Sequence, residues 1–195
     1  MDANGPQGWQ SLTQQGNQFT ANFADGITGV YATPSVGGTL SSAQIRPAVE
    51  VYRLGSYVNT FGFYELQDSI TGTVNGLSPS DPGYLSTALA ASKASGLFLD
   101  QNRLPGFEGQ AIIHDLPLDT KQSYGVIFCV NGDSSTLFSS FAQANRDGAT
   151  QMISLSNSSD AFTLGIEDQY MSKNTDNDYN DILVKISGVI VPIFG

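Results

Sequence analysis

An all-β fold, a two-sheet sandwich of jelly-roll-like type with one or two short helices, is predicted by three features of this chain. Charged residues are sparse at 13% while glycine is plentiful, 21 in 195 residues. That balance suits short strands joined by turns better than long surface helices. Runs rich in β-branched and aromatic residues recur at short spacing. One of them, Tyr124–Val130, is apolar on both faces, as a strand covered from two sides must be.

The length fits one large domain, and 40% hydrophobic residues supply a core. Residues 1–16 are polar and Gln/Gly-rich, anchored by Trp9, and are expected to be partly loose. Residues 17–195 form a single β-sandwich domain that ends in an acidic motif. Within it, Phe19, Ala21 and Phe23 alternate with Thr20 and Asn22, the pattern of a half-buried strand. Ala48–Leu54 and Tyr57–Leu66 flank Gly55-Ser56 and read as a hairpin. Asp68–Gly76 is a turn or loop. Ser80-Asp81-Pro82 offers an N-cap followed by proline at the first helical position, with Leu85, Ala88 and Leu89 on one face. Ser135 or Thr136 is placed to cap a second short helix carrying Leu137, Phe138 and Phe141. Ala111–Leu116, Ser123–Val130, Gln151–Leu155, Ala161–Ile166 and Ile182–Ile193 complete at least eight expected strands.

A formal charge of −10 and a pI near 4.2 give a surface that repels nucleic acid and anionic lipid, so neither is an expected partner. No apolar run approaches the length of a membrane span, so membrane insertion is not expected. Cys129 is the single cysteine and excludes an internal disulfide. A bacterial secreted protein can do without cysteine and use bound calcium as its staple; an intracellular one needs neither. Met1-Asp-Ala-Asn-Gly-Pro lacks the basic region and apolar core of a signal peptide, as a domain cut from a longer protein would.

The acidic residues are unevenly placed. Glu167, Asp168, Asp176, Asp178 and Asp181 fall within fifteen residues that contain one positive charge, Lys173. Carboxylates so crowded repel unless they are solvated, protonated or bridged by a cation, and oxygen donors at alternate positions suit a hard divalent ion. Asp176, Asp178 and Asn180 match the D-x-D-x-N opening of an EF-hand loop. The sixth position is Asp181 instead of Gly and the twelfth is Ser187 instead of Glu. A strand, not a helix, follows, so an EF-hand is rejected. A short loop can still aim ligands at i, i+2 and i+4 toward one ion, and Glu167 and Asp168, ending the preceding strand, would close its shell. Asn180 either offers its carbonyl oxygen or satisfies the loop backbone. Tyr179, out of phase with its neighbours, is expected to pack over the core. The competing reading is a solvated hairpin turn. Calcium is preferred to magnesium, which wants fewer protein ligands, and to zinc, since no His or Cys is near.

The segment Phe162-Thr-Leu-Gly-Ile-Glu-Asp, followed by Asp176-Asn-Asp-Tyr-Asn-Asp-Ile-Leu-Val, resembles the C-terminal signature of the bacterial domain of unknown function 4114 family. The likeness covers roughly residues 120–190 and is looser before them. Such domains often occur in large secreted or surface proteins with calcium-binding repeats, including adhesin-like ones. The resemblance implies a secreted β domain with calcium at Glu167, Asp168, Asp176, Asp178 and Asp181. It implies no known reaction.

Other constellations have ordinary explanations. His114-Asp115 has no partnered nucleophile and reads as a satisfied strand-end histidine. Cys129 reads as a buried inert thiol. Glu65 and Asp68 are spaced like a glycosidase pair, but a solvated edge or a second calcium loop fits better. Asn131-Gly-Asp133 and Asp100-Gln-Asn102 read as turns first and oxygen-donor sites second. Tyr52, Tyr57, Phe61, Phe63 and Tyr64 are expected to be mostly core, with one or two free to stack on a sugar. The expectation is therefore a calcium-stabilised, non-enzymatic module of a secreted or cell-surface, adhesin-like protein. Behind it stand a calcium-dependent carbohydrate-binding module, with a glycan or surface polymer as partner, and a polysaccharide hydrolase.

Overall fold

The computed structural model describes residues 9–15, 18–23, 28–32, 48–119, 122–158, 161–170 and 178–187. In chain order the strands are β1 (Trp9–Gln15), β2 (Gln18–Phe23), β3 (Thr28–Ala32), β4 (Ala48–Arg53) and β5 (Thr60–Glu65). The helix α1 (Tyr84–Ala94) follows, then β6 (Phe98–Leu99), β7 (Gly109–Ile113), β8 (Tyr124–Cys129) and β9 (Leu137–Ser139). The last strands are β10 (Met152–Ser158), β11 (Ala161–Ile166) and β12 (Ile182–Ser187). All pairings among the described residues are antiparallel. One sheet runs β10-β11-β12-β4-β7, a second β6-β5-β8-β9, and a smaller third β1-β2-β3. The segment 1–16 thus contains a paired strand. The expected all-β sandwich is the observed architecture, with one α-helix among the described residues.

The two larger sheets face each other across one core. From the first come Val49, Val51, Leu164, Ile166, Ile182, Val184 and Ile186; from the second come Phe61, Phe63, Val126, Phe128 and Phe138. The alternation of β4 follows from this: Val49, Val51 and Arg53 are buried while Ala48, Glu50 and Tyr52 are only half covered. In contrast β8 is buried at all six positions. Its other face, with Tyr64 of β5, lies under α1, where Ile127, Cys129 and Leu137 meet Tyr84, Ala88 and Leu89. Each fully buried large side chain contributes about 1.5–3 kcal/mol. Burial also pushes the Cys129 thiol up, which keeps it protonated and inert.

Three sequence expectations are corrected. Ala48–Leu54 and Tyr57–Leu66 do not form a hairpin: β4 belongs to the first sheet and β5 to the second. The backbone N–H groups of Leu54 and Gly55 donate to the carbonyl of Asp181 at 3.0 and 2.9 Å. This long-range pairing carries the chain across the sandwich instead of back on itself. Leu137, Phe138 and Phe141 are not on a helix. Leu137–Ser139 pairs with β8, and Ser135 closes a turn by donating its N–H and hydroxyl to Asp133. Asp81 and Pro82 do not start α1. Asp81 accepts the Ser78 N–H at 2.7 Å in a separate turn, and the helix begins after Gly83, whose φ of 87° redirects the chain. Elsewhere each expected strand overlaps an observed one, β11 to the residue, although β7 ends at Ile113 and not at Leu116; the part of Ile182–Ile193 beyond residue 187 lies outside the described residues.

Beneath α1 the buried hydroxyls form one directed chain. Tyr84 donates to the Gly72 carbonyl at 2.6 Å, so it accepts from Tyr64 at 3.0 Å, which in turn accepts from Ser139 at 2.9 Å. Tyr64→Phe takes one partner from Tyr84, which keeps the Gly72 carbonyl, and one from Ser139, which keeps the Phe141 N–H, in a dry site. We expect it to cost about 1–3 kcal/mol, read as a lower urea midpoint with unchanged slope.

Candidate metal centre

The site lies where strand ends meet. Glu167 and Asp168 follow β11 directly, and Asp181 immediately precedes β12. Those strands pair with Ile166 opposite Ile182, so the acidic residues are brought side by side by the ladder itself. One carboxylate oxygen from each of Glu167, Asp168 and Asp181 lies within 4.8 Å of the others. Glu167 and Asp168 are buried, and Asp181 is half-buried. The Asp168 N–H donates to Asp181 Oδ2 at 2.8 Å, and the Gln169 N–H to Glu167 Oε1 at 3.2 Å.

Both glycines near the cluster are required by close approach. A Cβ on Gly55 would sit 2.5 Å from Asp181 Oδ1, so only glycine lets this carboxylate lie against the crossover. A Cβ on Gly165 would sit 2.6 Å from the Tyr179 carbonyl, which passes over β11 there. Tyr179 is buried as expected, although its φ of 52° is unusual for a bulky residue, and its hydroxyl donates to the Thr150 carbonyl at 3.1 Å.

Of the six residues expected to bind metal, the structure therefore gathers Glu167, Asp168 and Asp181. Asp178 is near enough to act on Asp181 electrostatically, but its carboxylate accepts the Asn180 backbone N–H at 3.2 Å and side-chain amide at 2.7 Å. Asn180 thus turns its amide nitrogen to Asp178. Asp176 lies outside the described residues.

Two residues join the site without a signal in the sequence. Asn59, buried just before β5, donates to Asp168 Oδ2 at 2.7 Å and accepts the Asn131 N–H, just after β8, at 2.9 Å. It ties the carboxylates of one sheet to the other sheet. Gln151 accepts the Glu167 N–H through its backbone carbonyl at 2.9 Å, extending the β10–β11 ladder by one pair. Directly opposed residues project to the same face, and Gln151 is fully buried with its Oε1 lacking any hydrogen-bond partner. Each is an isolated polar residue beside a strand, and only the strand pairing marks them.

The clustered donors are all oxygen, three carboxylates, and the unpartnered Gln151 amide sits on the strand position paired with Glu167. Buried like charges this close demand neutralisation by a proton or a cation, and such donors fit a hard cation better than a soft one. Burial and the neighbouring Asp168, then Glu167 and Asp178, push the Asp181 carboxyl up to about 9 in the cation-free protein, against the stabilising Asp168 N–H.

The remaining constellations have local roles. Asp115 pairs with Arg103 and not with His114, which is exposed. Asp68 accepts the Ile70 and Thr71 N–H groups, which hold its carboxyl below the usual range in an exposed turn. Asp100 accepts the Asn102 N–H in another turn. Among the described residues, no helix is long and apolar enough to cross a membrane.

Fold and site together define a β-sandwich with a carboxylate cluster at its adjoining strand ends. Residues 118–189, the stretch that contributes all three clustered carboxylates, match the model of a family described as domain of unknown function (DUF4114). The resemblance carried by the C-terminal motif holds over that stretch. No curated protein and no solved structure matches the chain.

Two outcomes follow. An Asp ionises near 3.9 in an unfolded chain, whereas Asp181 stays protonated in the cation-free fold until about 9. Unfolding therefore releases a proton between these values, and this group's stabilisation, complete at acid pH, is lost as pH rises through that window. Urea midpoints in chelator should fall from about pH 5 to about pH 8.5, and Asp181→Asn should flatten the slope. Gln151→Met, which removes an oxygen without an internal partner and only a long 3.5 Å hydrogen bond from Nε2 to Asp147, should leave cation-free stability nearly unchanged. It should weaken cation binding about tenfold, some 1.4 kcal/mol by calorimetry.

Proposed function

We propose that this domain is a calcium-stabilised, non-enzymatic module of a secreted or cell-surface bacterial protein of adhesin-like type. The observation that carries the reading is the packing of Glu167, Asp168 and Asp181 within 4.8 Å, two of them buried. Three clustered carboxylates favour calcium, which takes six to eight oxygens in flexible geometry. Magnesium keeps several waters and demands a strict octahedron. The export half of the reading draws on the family likeness and on the value of an ion staple to a chain with one buried cysteine.

The mechanism is linkage. An ion that binds only the folded arrangement stabilises it by RT ln(1 + [L]/Kd), about 2.7 kcal/mol at a hundredfold excess over Kd. Extracellular modules with dissociation constants of about 10⁻⁴–10⁻³ M fill in calcium-rich surroundings and stay empty in cytosol. Binding also displaces the Asp181 proton. The domain becomes rigid after export, through its own solvent.

Thermal melts in millimolar calcium and in chelator test this. The melting temperature should rise with calcium, and Asp168→Ala and Asp181→Ala should each abolish the rise. Asp178→Ala should reduce it less, since Asn180 engages that carboxylate. A melting temperature indifferent to calcium would sink the reading.

A further inference from the structure

We propose that the hollow beside the carboxylate cluster binds a neutral saccharide, whose ring stacks on Tyr57 and whose vicinal hydroxyls reach the cation at Asp168. Only the contact with the cation rests on the calcium reading above. The hollow has a volume of about 310 Å3 and lies between three loops at one end of the sandwich. Tyr57 comes from the crossover between β4 and β5, Asn131 and Thr136 from the turn after β8, and Asp168, Gln169 and Tyr170 from the segment after β11. Binding groups held on loops by a rigid scaffold are the usual arrangement for recognition. Asp168 belongs both to this wall and to the cluster.

Three observations select the ligand. First, Tyr57 is 44% exposed, while Phe61, Phe63 and Tyr64 of the following strand are completely buried. An aromatic face left in water beside polar groups suits a ring with one C–H face and a hydroxylated edge. Second, several polar groups of the wall make no hydrogen bond within the described residues. The Asn131 carbonyl oxygen accepts the Val58 N–H, which leaves its amide NH2 for a ligand; the Gln169 side-chain amide and the Thr136 and Tyr57 hydroxyls also make none. Amides and hydroxyls that both donate and accept match sugar hydroxyls, which do the same. Third, among the described residues no Lys, Arg or His lines the hollow, and Asp133 and Asp168 do. Sulfated, phosphorylated and sialylated ligands are repelled by such a wall. Asp133 is held in place by Ser135, whose N–H and hydroxyl each take one acceptor site on its two oxygens. A cavity of this size stands at the small end of ligand sites, about 300–1,000 Å3, and takes one or two sugar rings.

The test is a printed array of neutral gluco-, manno- and galacto-oligosaccharides, with sialylated and sulfated glycans and oligolysine as charged probes. The labelled protein is applied in millimolar calcium and in chelator, and its thermal melt is recorded in both. Retention on a subset of the neutral sugars, lost at least tenfold in chelator, is the expected result. Tyr57→Ala should lose at least tenfold of that retention while keeping the calcium-induced rise in melting temperature, and Gln169→Ala should lose severalfold. Retention nowhere, retention on charged probes alone, or wild-type retention by Tyr57→Ala overturns the proposal. If the melt responds to calcium but no neutral sugar is held, the saccharide site fails and the calcium reading stands. If neutral sugars are held equally with and without calcium and the melt is indifferent, the calcium reading fails and with it the cation contact.

Discussion

Carboxylates that repel and cannot move apart set the conditions under which this fold exists. Two unit charges about 4 Å apart cost about 1 kcal/mol in water and about 4 kcal/mol at an effective dielectric of 20. Glu167, Asp168 and Asp181 are held at such spacing by the ladders of β11 and β12. Relief by separation would break the β11–β12 register or free the Asp181 carbonyl from Leu54 and Gly55. The charges must be relieved chemically instead. A proton on Asp181 is one route and a bridging cation another, and the two compete for the same oxygens. The stability of the sandwich is thereby tied to the composition of its solvent.

The same strand ends organise the rest of the domain. The crossover from β4 to β5 is fastened to Asp181, and Asn59 then joins Asp168 to the end of β8. The first link positions one sheet against its own loop; the second spans both sheets. On the other face of the second sheet, α1 and the hydroxyl chain through Tyr64 and Tyr84 form the seal. The domain thus has an apolar layer that needs nothing from solution and a polar corner that does.

Local chemistry made part of this legible. Ala161–Ile166 and Tyr124–Cys129 are apolar enough to be read as strands alone, and the Glu167-Asp168 pair with Asp178 and Asp181 is visible as an excess of charge. What failed depended on partners far along the chain. Gly55-Ser56 has the composition of a hairpin turn, and nothing near it foretells that its backbone binds Asp181. Leu137–Ser139 is too short for its period to separate helix from strand, and pairing with β8 decides the matter. Pro82 follows a residue that folds back on Ser78, so α1 starts after Gly83 instead. Asn59 and Gln151 carry no local mark at all, because their roles exist only once strands are paired.

The pairing of β4 with β12 has a mechanical side. Ala48 lies opposite Ser187, and Arg53 opposite Ile182. The chain thus runs into the first sheet and out of it at one pole, side by side, while the carboxylates occupy the other. Tension applied through these two neighbouring ends would open the pair as a zip, one rung at a time, instead of shearing all rungs together. The last rungs to part would be those beside Asp181. The carboxylate corner is also the stop at the end of the zip, at the opposite end of the pair from Ala48 and Ser187.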